Sequence, residues 1–286
     1  MRCVSDDHET AAAFATSWNT LPRGSVYTRE QFEDWLYPVT EDDVRGREVL
    51  ELGCGNASLL VHLTAWSPAR VEGVDLGDSV TSAEHNMAAT GFPHWRVTRA
   101  DLISFESPGF DLVYCIGVIH HVAQPRKALD AVVRNTKAGG RFHCWVYGHE
   151  GNAVVRYVVE PLRRVCSRLP WWLTKYLVAT PLAVPYFVYA KTLAQLPRWN
   201  ALQRLPLHAY SLWIARRGFS FFRHVAFDQL VTPRTSYFRK ETIEEWLRAY
   251  GGLEPESTYV VQRNGNSWKF GGRLATPAPA EPKAGR

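Results

Sequence analysis

The feature that most constrains this chain is a glycine turn between a strand-like run and a helical run. Residues 49–52 have the apolar composition of a buried strand end, and Gly53 and Gly55 follow two positions apart. Apolar residues then recur at the spacing of one helix face, at Leu59, Leu60, Val61 and Leu63. Such a turn lets a ligand approach the bare backbone at the positive end of a helix dipole. The sequence therefore predicts a site for a dinucleotide or another adenosine cofactor.

The spacing of small residues separates these two kinds of cofactor. A dinucleotide fingerprint requires glycine at its first, third and sixth positions, but the sixth position counted from Gly53 is Ser58. The alternative pattern is an acidic residue followed by small residues at every second position, and the chain has Glu51, Gly53, Gly55 and Ala57. These residues resemble the first motif of the class I S-adenosylmethionine-dependent methyltransferases, acidic-x-Gly-x-Gly-x-Gly. Ala57 replaces the third glycine, which implies a slightly less open turn.

The resemblance implies further cofactor contacts along the chain. Asp75 ends the second strand-like run, 22 positions after the first glycine, the distance that a βαβ unit needs. A carboxylate there can accept hydrogen bonds from both ribose hydroxyls. In the resembled family, an acid after the third strand recognises the adenine amino group and the next residue's backbone meets the ring, which implies these roles for Asp101 and Leu102. The alternatives are that Asp75 is a turn residue before Gly77 and that Asp101 caps a short turn.

The order of the predicted elements indicates an α/β fold, a Rossmann-like, seven-stranded, mostly parallel sheet with a C-terminal antiparallel hairpin and a mainly helical insert. Residues 110–116 read as a buried fourth strand and residues 142–147 as a fifth, with residues 137–141 ending the helix between them. Asn264-Gly265-Asn266 separates two later strand-like runs and is a strong hairpin signal. The predicted cofactor-binding residues are Tyr27, Glu51, Gly53, Cys54, Gly55, Asn56, Asp75, Leu76, Asp101, Leu102, Ile116 and Gly117.

We predict four parts in the chain. Residues 1–40 are expected to form short helices that act as a lid, in which Trp18 or Tyr27 closes over the ligand, or else simply cover the core. Residues 41–150 and 236–275 are expected to form the Rossmann-like domain, with an amphipathic helix over residues 239–250. Residues 151–235 are expected to be a helical cap that binds the acceptor, and residues 276–286 a disordered tail.

The insert allows two interpretations. Residues 176–190 are uncharged, but Pro181 and Pro185 are expected to break the run. Because fifteen residues are fewer than the roughly 20 that span a bilayer, we predict no transmembrane helix. The insert is then either a cap that builds a hydrophobic pocket, which we favour, or a surface that touches a membrane with Trp171, Trp172 and Tyr176 at the interface.

Two adjacent histidines are the candidate catalytic residues. Carboxylates such as Glu51 would offset the sulfonium and ammonium charges of S-adenosylmethionine, the expected cofactor. A general base becomes useful when the methyl acceptor is a hydroxyl, and His120 and His121 follow the fourth strand at the edge of the cofactor crevice. The alternative is that both only pack or cap. The chain shows no metal-spaced Cys/His cluster, so no metal site is predicted.

Composition leaves the partner open. The formal charge of +5 and the pI near 9.0 are compatible with an anionic partner but do not require one. Five cysteines without a paired spacing favour reduced thiols and a cytoplasmic protein, either free or peripheral at the inner face of a membrane. The N-terminal residues predict no secretory signal. We expect methylation of a small, hydrophobic or lipid- or glycan-linked acceptor, on oxygen or nitrogen.

Two alternative functions remain at this point. Residues 118–121 also resemble the wobble-uridine tRNA methyltransferases, so an RNA acceptor is possible, although the basic residues of the insert alternate with apolar ones. A non-catalytic S-adenosylmethionine-binding module is the other alternative. The sequence does not specify the oligomeric state.

Overall fold

The computed structural model of the chain describes residues 2–19, 27–196 and 202–276, and within the first range the side chains of residues 7–16. The predicted role of the Trp18 side chain and the predicted tail at residues 277–286 therefore lie outside the described residues.

The core of the molecule is one seven-stranded sheet. In chain order its strands are β1 (Glu48–Leu52), β2 (Arg70–Asp75), β3 (Trp95–Arg99), β4 (Phe110–Ile116), β5 (Thr136–Tyr147), β6 (Tyr259–Arg263) and β7 (Ser267–Arg273). The spatial order is β3-β2-β1-β4-β5-β7-β6. The strands β1 to β5 pair in parallel, and β7 lies antiparallel between β5 and β6. The predicted fold class is thus confirmed, including the terminal hairpin.

Helices cover both faces of this sheet. On one face α2 (Arg29–Leu36), α3 (Ser58–Leu63) and α4 (Val80–Ala88) pack on side chains such as Val49 and Tyr114. On the other face α5 (Pro125–Arg134) and α11 (Lys240–Arg248) pack on side chains such as Leu50 and Val113. Because neighbouring residues of a strand point to opposite faces, each central strand is buried on both sides, and this explains its nearly continuous apolar composition.

Two sequence expectations about these elements were wrong. The N-terminal residues form an 18-residue helix, α1 (Arg2–Asn19), which is longer than the short helices expected. The fifth strand begins at Thr136 instead of residue 142, because residues 136–141 extend its pairing with β4 and β7. Gly139 has a φ of +72°, and the register between β4 and β5 shifts between Phe110 and Leu112. Gly139 and Gly140 therefore lie in an irregular part of β5.

The described residues between 151 and 235 form a group of helices, which we call the cap. Its α-helices in chain order are α6 (Glu160–Cys166), α7 (Trp171–Leu173), α8 (Thr180–Gln195), α9 (His208–Ala215) and α10 (Phe219–Val231). The Arg163 guanidinium, 1% exposed, ties α6 to α10 by donating hydrogen bonds to the Gln229 carbonyl (2.6 Å) and side-chain oxygen (2.8 Å).

The predicted break at Pro181 and Pro185 is absent from the described cap. A π-helical turn (Thr174–Ala179) joins α7 to α8, so that one helix of 25 residues runs from Trp171 to Gln195. Pro181 follows closely after the π-helical turn, and Pro185 lies inside the helix on its exposed side. By length and composition alone this helix could cross a membrane, so the length argument against a span was wrong.

Candidate functional site

A cavity of about 550 Å³ lies at the carboxyl ends of the central strands and continues under the cap. Its size is within the range of about 300–1,000 Å³ that is usual for small-molecule sites. In a parallel sheet the first crevice for a ligand lies at these strand ends, beside the point where the strand order reverses. All twelve residues that the sequence predicts for cofactor binding line this cavity.

The glycine turn is held tightly against the neighbouring strands. The Gly53 and Cys54 amides both donate to the Val74 carbonyl, at 2.7 and 3.0 Å. Gly53 has a φ of +83°, and a Cβ placed on it would lie 2.3 Å from Val118 Cγ2. Glycine is therefore required here both by backbone conformation and by space.

The turn then enters α3 through two further residues. Ala57 takes the left-handed conformation, with a φ of +61°, at the place where the resembled motif has glycine. Asn56, which is buried, accepts hydrogen bonds at Oδ1 from the Ser58 amide (3.2 Å) and hydroxyl (2.6 Å). Asn56 therefore fixes the start of the helix, and its side chain serves the turn itself.

Asp75 supports the glycine turn and the turn that follows β2. Its Oδ2 accepts a hydrogen bond from the Gly55 amide at 2.9 Å, and its Oδ1 accepts from the Gly77 amide at 2.8 Å and the Ser79 hydroxyl at 3.1 Å. The turn role considered from sequence is thus present. An ionised carboxylate has about four acceptor positions, so one remains for a ligand donor.

The predicted adenine contacts lie beside β3. Asp101 is exposed, and its Oδ1 accepts from the Ile103 amide at 2.9 Å, which is the turn cap considered as the alternative. Asp101 and Leu102 both line the cavity. The other carboxylate oxygen of Asp101, Oδ2, takes no part in the hydrogen bond with the Ile103 amide.

Glu51 is the most deeply buried carboxylate of the cavity wall, with 2% of its surface exposed. Burial raises its pKa well above the usual 4.5, the Tyr114 hydroxyl that donates to it at 3.1 Å opposes this, and the nearby charge of Asp75 adds to the rise. A cation in the cavity would favour the ionised form of Glu51.

The charges of the wall suit a cationic ligand. Among the described lining residues are five carboxylates, Asp7, Glu51, Asp75, Asp101 and Asp228, and one guanidinium, Arg263, which pairs with Asp34. A pyrophosphate in this cavity would meet repulsion, whereas a sulfonium and an ammonium would be attracted. The residues therefore fit S-adenosylmethionine better than a phosphate-bearing cofactor.

The two predicted catalytic histidines differ in position. His121 lines the cavity, but its Nδ1 is 2.9 Å from the Arg234 carbonyl oxygen. Burial lowers the pKa of His121 to about 3, although the Arg234 carbonyl opposes the change. His120 is fully buried, is not among the described residues that line the cavity, and packs on the rings of His121 and Tyr147. Burial likewise lowers its pKa well below 6.5.

Helix α1 and Tyr27 form the N-terminal wall of the cavity. Asp7, Thr10, Ala11 and Phe14 of α1 line it. The Asp7 carboxylate accepts from the Ala123 amide at 2.7 Å, and the Phe14 ring lies 4.9 Å from the His121 ring. Tyr27 packs edge-on against Trp35, and burial, Asp228, Tyr147 and Glu51 all raise the pKa of its hydroxyl. Tyr27 is therefore within electrostatic range of both the cofactor end and the cap.

A histidine–carboxylate pair in α10 was missed in the sequence. His224 and Asp228 both line the cavity, and His224 Nε2 lies 3.3 Å from Asp228 Oδ2. Their i,i+4 spacing, which places both on one helix face, is the sequence signal that could have found them. An imidazole held by a carboxylate is the usual arrangement of a general base.

The cap supplies the apolar part of the wall. Its lining side chains are mainly aliphatic and aromatic and include Val155, Val159, Ala183, Tyr186, Phe222 and Leu230. This part of the cavity suits an apolar molecule, with the His224–Asp228 pair as one of its few polar features.

Comparison with known proteins gives matches over different parts of the chain. Residues 50–144 match the family described as a methyltransferase domain. An uncharacterized protein of Synechococcus sp. is 24% identical over 236 residues, 76% of this chain and 51% of that protein. The ubiquinone biosynthesis O-methyltransferase of Paracidovorax citrulli is 33% identical over 108 residues, 36% of this chain and 43% of that enzyme. The chain thus spans about half the length of the curated relatives it matches.

Solved structures share the fold over nearly the whole chain. The magnesium protoporphyrin IX methyltransferase of Synechocystis, solved with bound SAH, aligns over 96% of this chain and 100% of its own, with a TM-score of 0.56 and 12% identity. At this identity the likeness concerns the fold alone.

Proposed function

Residues 50–144 form a class I S-adenosylmethionine-dependent methyltransferase domain, and on this premise we propose that the protein methylates a hydroxyl group of a small hydrophobic acceptor held under the cap. The observation that carries the proposal is the continuity of the cavity. The same space of about 550 Å³ reaches from the glycine turn to the apolar side chains of the cap. Cofactor and acceptor could therefore meet without crossing solvent.

The cofactor end has the groups that a cationic sulfonium compound needs. When bound, S-adenosylmethionine would supply an activated methyl group on its sulfonium. Asp75 would accept from one ribose hydroxyl at its remaining acceptor position while keeping the Gly55 amide in place, and Glu51 would offset positive charge. Gly53 and Gly55 let the ligand come close to the backbone.

The acceptor end offers a base for a hydroxyl. An acceptor oxygen must lose its proton as it attacks, and a base works best when its pKa lies near the working pH. A pKa of about 3 makes His121 a poor base at neutral pH, and the same burial acts on His120. We assign the role to His224, with Asp228 as the residue that orients it. This assignment replaces our sequence-based candidates His120 and His121.

Positioning is the other contribution of the protein. Methyl transfer is an in-line displacement, and holding both reactants in one enclosed space removes much of the entropic cost of their meeting. The cap also excludes water from the reacting oxygen. A hydrophobic acceptor fits the wall, whereas an RNA would need a basic surface along its backbone, and the described wall carries more carboxylates than cations.

Two measurements test the proposal. Calorimetry should detect S-adenosylmethionine binding to the wild type and much weaker binding to Asp75→Ala. Incubation with radiolabelled S-adenosylmethionine and cell extract, split into lipid, small-molecule and RNA fractions, should place the label in the first or second fraction. Absence of binding to the wild type would refute the cofactor assignment, and label in the RNA fraction would refute the acceptor class.

A further inference from the structure

The outer face of the cap is unusually apolar. Of the seventeen large hydrophobic side chains exposed in the described parts of the chain, fifteen lie between residues 154 and 205. Leu177 is 63% exposed, Val188 is 59% exposed and Tyr157 is 73% exposed. Exposed patches of this kind on a folded protein mark interaction sites.

The apolar side chains form a stripe along the helix from Trp171 to Gln195. Leu177, Val184 and Val188 are exposed and recur at intervals of seven and four residues, which is the spacing of one helix face. Trp172 and Tyr176 continue the face at the N-terminal end, where both are about half exposed. Trp and Tyr are the side chains that favour the interface between water and lipid.

Exposed apolar side chains of the cap also border the cavity. Val154, Val158, Leu162 and Leu182 are all exposed, at 37–55%, and all line the cavity. The first three belong to the segment around α6 and Leu182 belongs to α8, so the two segments border one opening. A molecule that enters through it must pass between apolar side chains.

The charges beside the apolar face are nearly all positive. Residues 151–196 contain six Lys or Arg and one acid, Glu160, whose carboxylate pairs with Arg163. Arg164, Arg168 and Lys191 are exposed. This face therefore complements an anionic surface and would repel a second copy of itself, because a symmetric contact would bring the same positive charges together.

From these observations we propose that the cap docks this protein on an anionic phospholipid bilayer, with the helix Trp171–Gln195 lying in the interfacial plane. The entry of the acceptor from the bilayer into the cavity rests in addition on the proposed function. It makes the acceptor a lipid-soluble molecule, which reaches the cofactor without passing through water.

The helix lies on the membrane and does not cross it. Its other side is committed to the cap, because Ala183, Ala190 and Leu193 are buried there and the Tyr186 hydroxyl lies 2.9 Å from the Ser211 hydroxyl of α9. Crossing a bilayer would require the helix to leave these contacts. An amphipathic element with aromatic side chains on its apolar face and basic residues beside it is typical of interfacial binding.

Vesicle flotation tests the docking. The full chain is mixed with phosphatidylcholine vesicles with or without phosphatidylglycerol, and the bound fraction is measured at low and high salt. We expect partitioning into vesicles with phosphatidylglycerol that is roughly tenfold stronger than into phosphatidylcholine alone, and weaker at high salt. Arg164→Gln with Arg168→Gln should remove most of this preference.

The apolar contribution is tested by Leu177→Glu with Val188→Glu, two exposed positions outside the described lining of the cavity. Binding to anionic vesicles should fall roughly tenfold or more, whereas Val261→Glu, an exposed valine on β6, should leave binding unchanged. S-adenosylmethionine calorimetry on the same variants should match the wild type, so a failure of docking is distinguishable from a failure of the cofactor site.

Three results would overturn the proposal. The first is a wild type that stays unbound with both kinds of vesicle. The second is protein that resists alkaline carbonate extraction, which would indicate a transmembrane helix. The third is a wild-type dimer in sedimentation velocity that Leu177→Glu converts to monomer, which would assign the face to self-association.

Discussion

At Gly53 a single methyl group has no room. Gly53→Ala would place a Cβ against Val118 and force alanine to a φ of +83°. We expect a loss of about 1–2 kcal/mol from the left-handed backbone and about 1–3 kcal/mol from overpacking. Urea denaturation measures the sum. Gly91→Ala is the matched control, since Gly91 has a φ of +71° but open space around it, and should show only the first part.

The double variant Gly53→Ala with Val118→Ala should recover part of the overpacking loss and none of the backbone loss. A Gly53→Ala protein as stable as the Gly91→Ala protein would show that Val118 moves aside freely.

The burial of the Glu51 carboxylate destabilises the folded protein but suits the binding of a cationic ligand. Its folded pKa lies above the usual 4.5, so the native state holds this proton more tightly than the unfolded chain. Stability is therefore lost as pH rises from 4.5 to the folded pKa. Glu51→Gln should match the wild type below this window and be more stable above it. Thermal denaturation across that pH range measures the difference.

The same substitution should weaken the binding of S-adenosylmethionine by about 1.5–3 kcal/mol, the value of a charge-assisted hydrogen bond. A bound cation lowers the pKa of Glu51, so binding to the wild type should release a proton, and binding to Glu51→Gln should release less. Calorimetry in buffers of different ionisation enthalpy detects this. Equal proton release by both proteins would remove Glu51 from the cofactor site.

His224 is tested against the two histidines found from sequence. His224→Gln should lower kcat roughly a hundredfold, within the usual range for loss of a general base, with little change in the affinity for S-adenosylmethionine. Asp228→Asn should lower kcat less. His120→Phe keeps a buried ring and should leave turnover close to that of the wild type. Methyl transfer at several pH values measures this, and full activity of His224→Gln would exclude it as the base.

At this scale the sequence predicts the cavity-lining residues at the strand ends better than those of the cap. Apart from Tyr27, the predicted cofactor residues lie at or just after the ends of β1 to β4. Parallel strands bring these ends to one edge, so position along the chain determines position in space. His224 reaches the cavity only because α10 packs against the other helices of the cap, and Arg163 of α6 helps to fix that packing. No local pattern specifies such a contact.

At the scale of elements, Asp34 joins α2 to the C-terminal hairpin. Its carboxylate pairs with Arg263 of β6 and Lys269 of β7, whose side chains are 8% and 5% exposed. Asp34→Ala leaves two buried cations without this partner and should cost about 3–5 kcal/mol. Glu33→Ala removes a neighbouring surface pair with Arg29 and should cost no more than about 1 kcal/mol. Chemical denaturation of both variants measures the contrast.

The cost of Asp34→Ala should depend on pH. Burial alone would raise the pKa of Asp34, but hydrogen bonds and charges from Arg263 and Lys269 outweigh it and hold the pKa below 3.8. The carboxylate thus stabilises the fold above pH 3.8, and this is lost as pH falls through the folded pKa. A difference between wild type and variant that persists undiminished in strong acid would contradict this account.

The long cap helix shows where a prediction of helix ends from single residues fails. Proline usually ends a helix, and two prolines led to the expectation of a break. Here the π-helical turn before Pro181 changes the hydrogen-bond register, and the Thr180 hydroxyl donates to the Lys175 carbonyl at 2.7 Å. The helix therefore continues, and the fifteen-residue run becomes part of a 25-residue element. Side-chain hydrogen bonds to the helix backbone were not visible in the periodicity.

At the scale of the molecule, one cavity joins three parts that are far apart in sequence. The α1 helix, the strand ends and the cap each contribute to its wall. The order of motifs predicts the sheet, because βαβ units have few alternatives. How α1 and the cap close on the sheet depends on contacts such as Asp7 to Ala123, across 116 residues, which no local signal specifies.

This arrangement makes α1 a reporter of ligand binding. Its residues between Asp7 and Phe14 contact the cavity, and a ligand in the cavity would give them a further surface to pack on. At one hundred times its dissociation constant, S-adenosylmethionine should stabilise the folded state by about 2.7 kcal/mol. If α1 is the predicted lid, part of this free energy opposes the local opening of the helix. Amide exchange of residues 2–19 should therefore slow in the presence of the ligand.

Hydrogen-exchange mass spectrometry with and without S-adenosylmethionine measures this. The glycine turn at residues 53–57 should be protected as well, and helix α11 should be nearly unchanged because none of its residues lines the cavity. Phe14→Ala should reduce the protection of α1 more than that of the turn. Protection of the turn with no change in α1 would mean that the helix covers the core and does not respond to the cofactor.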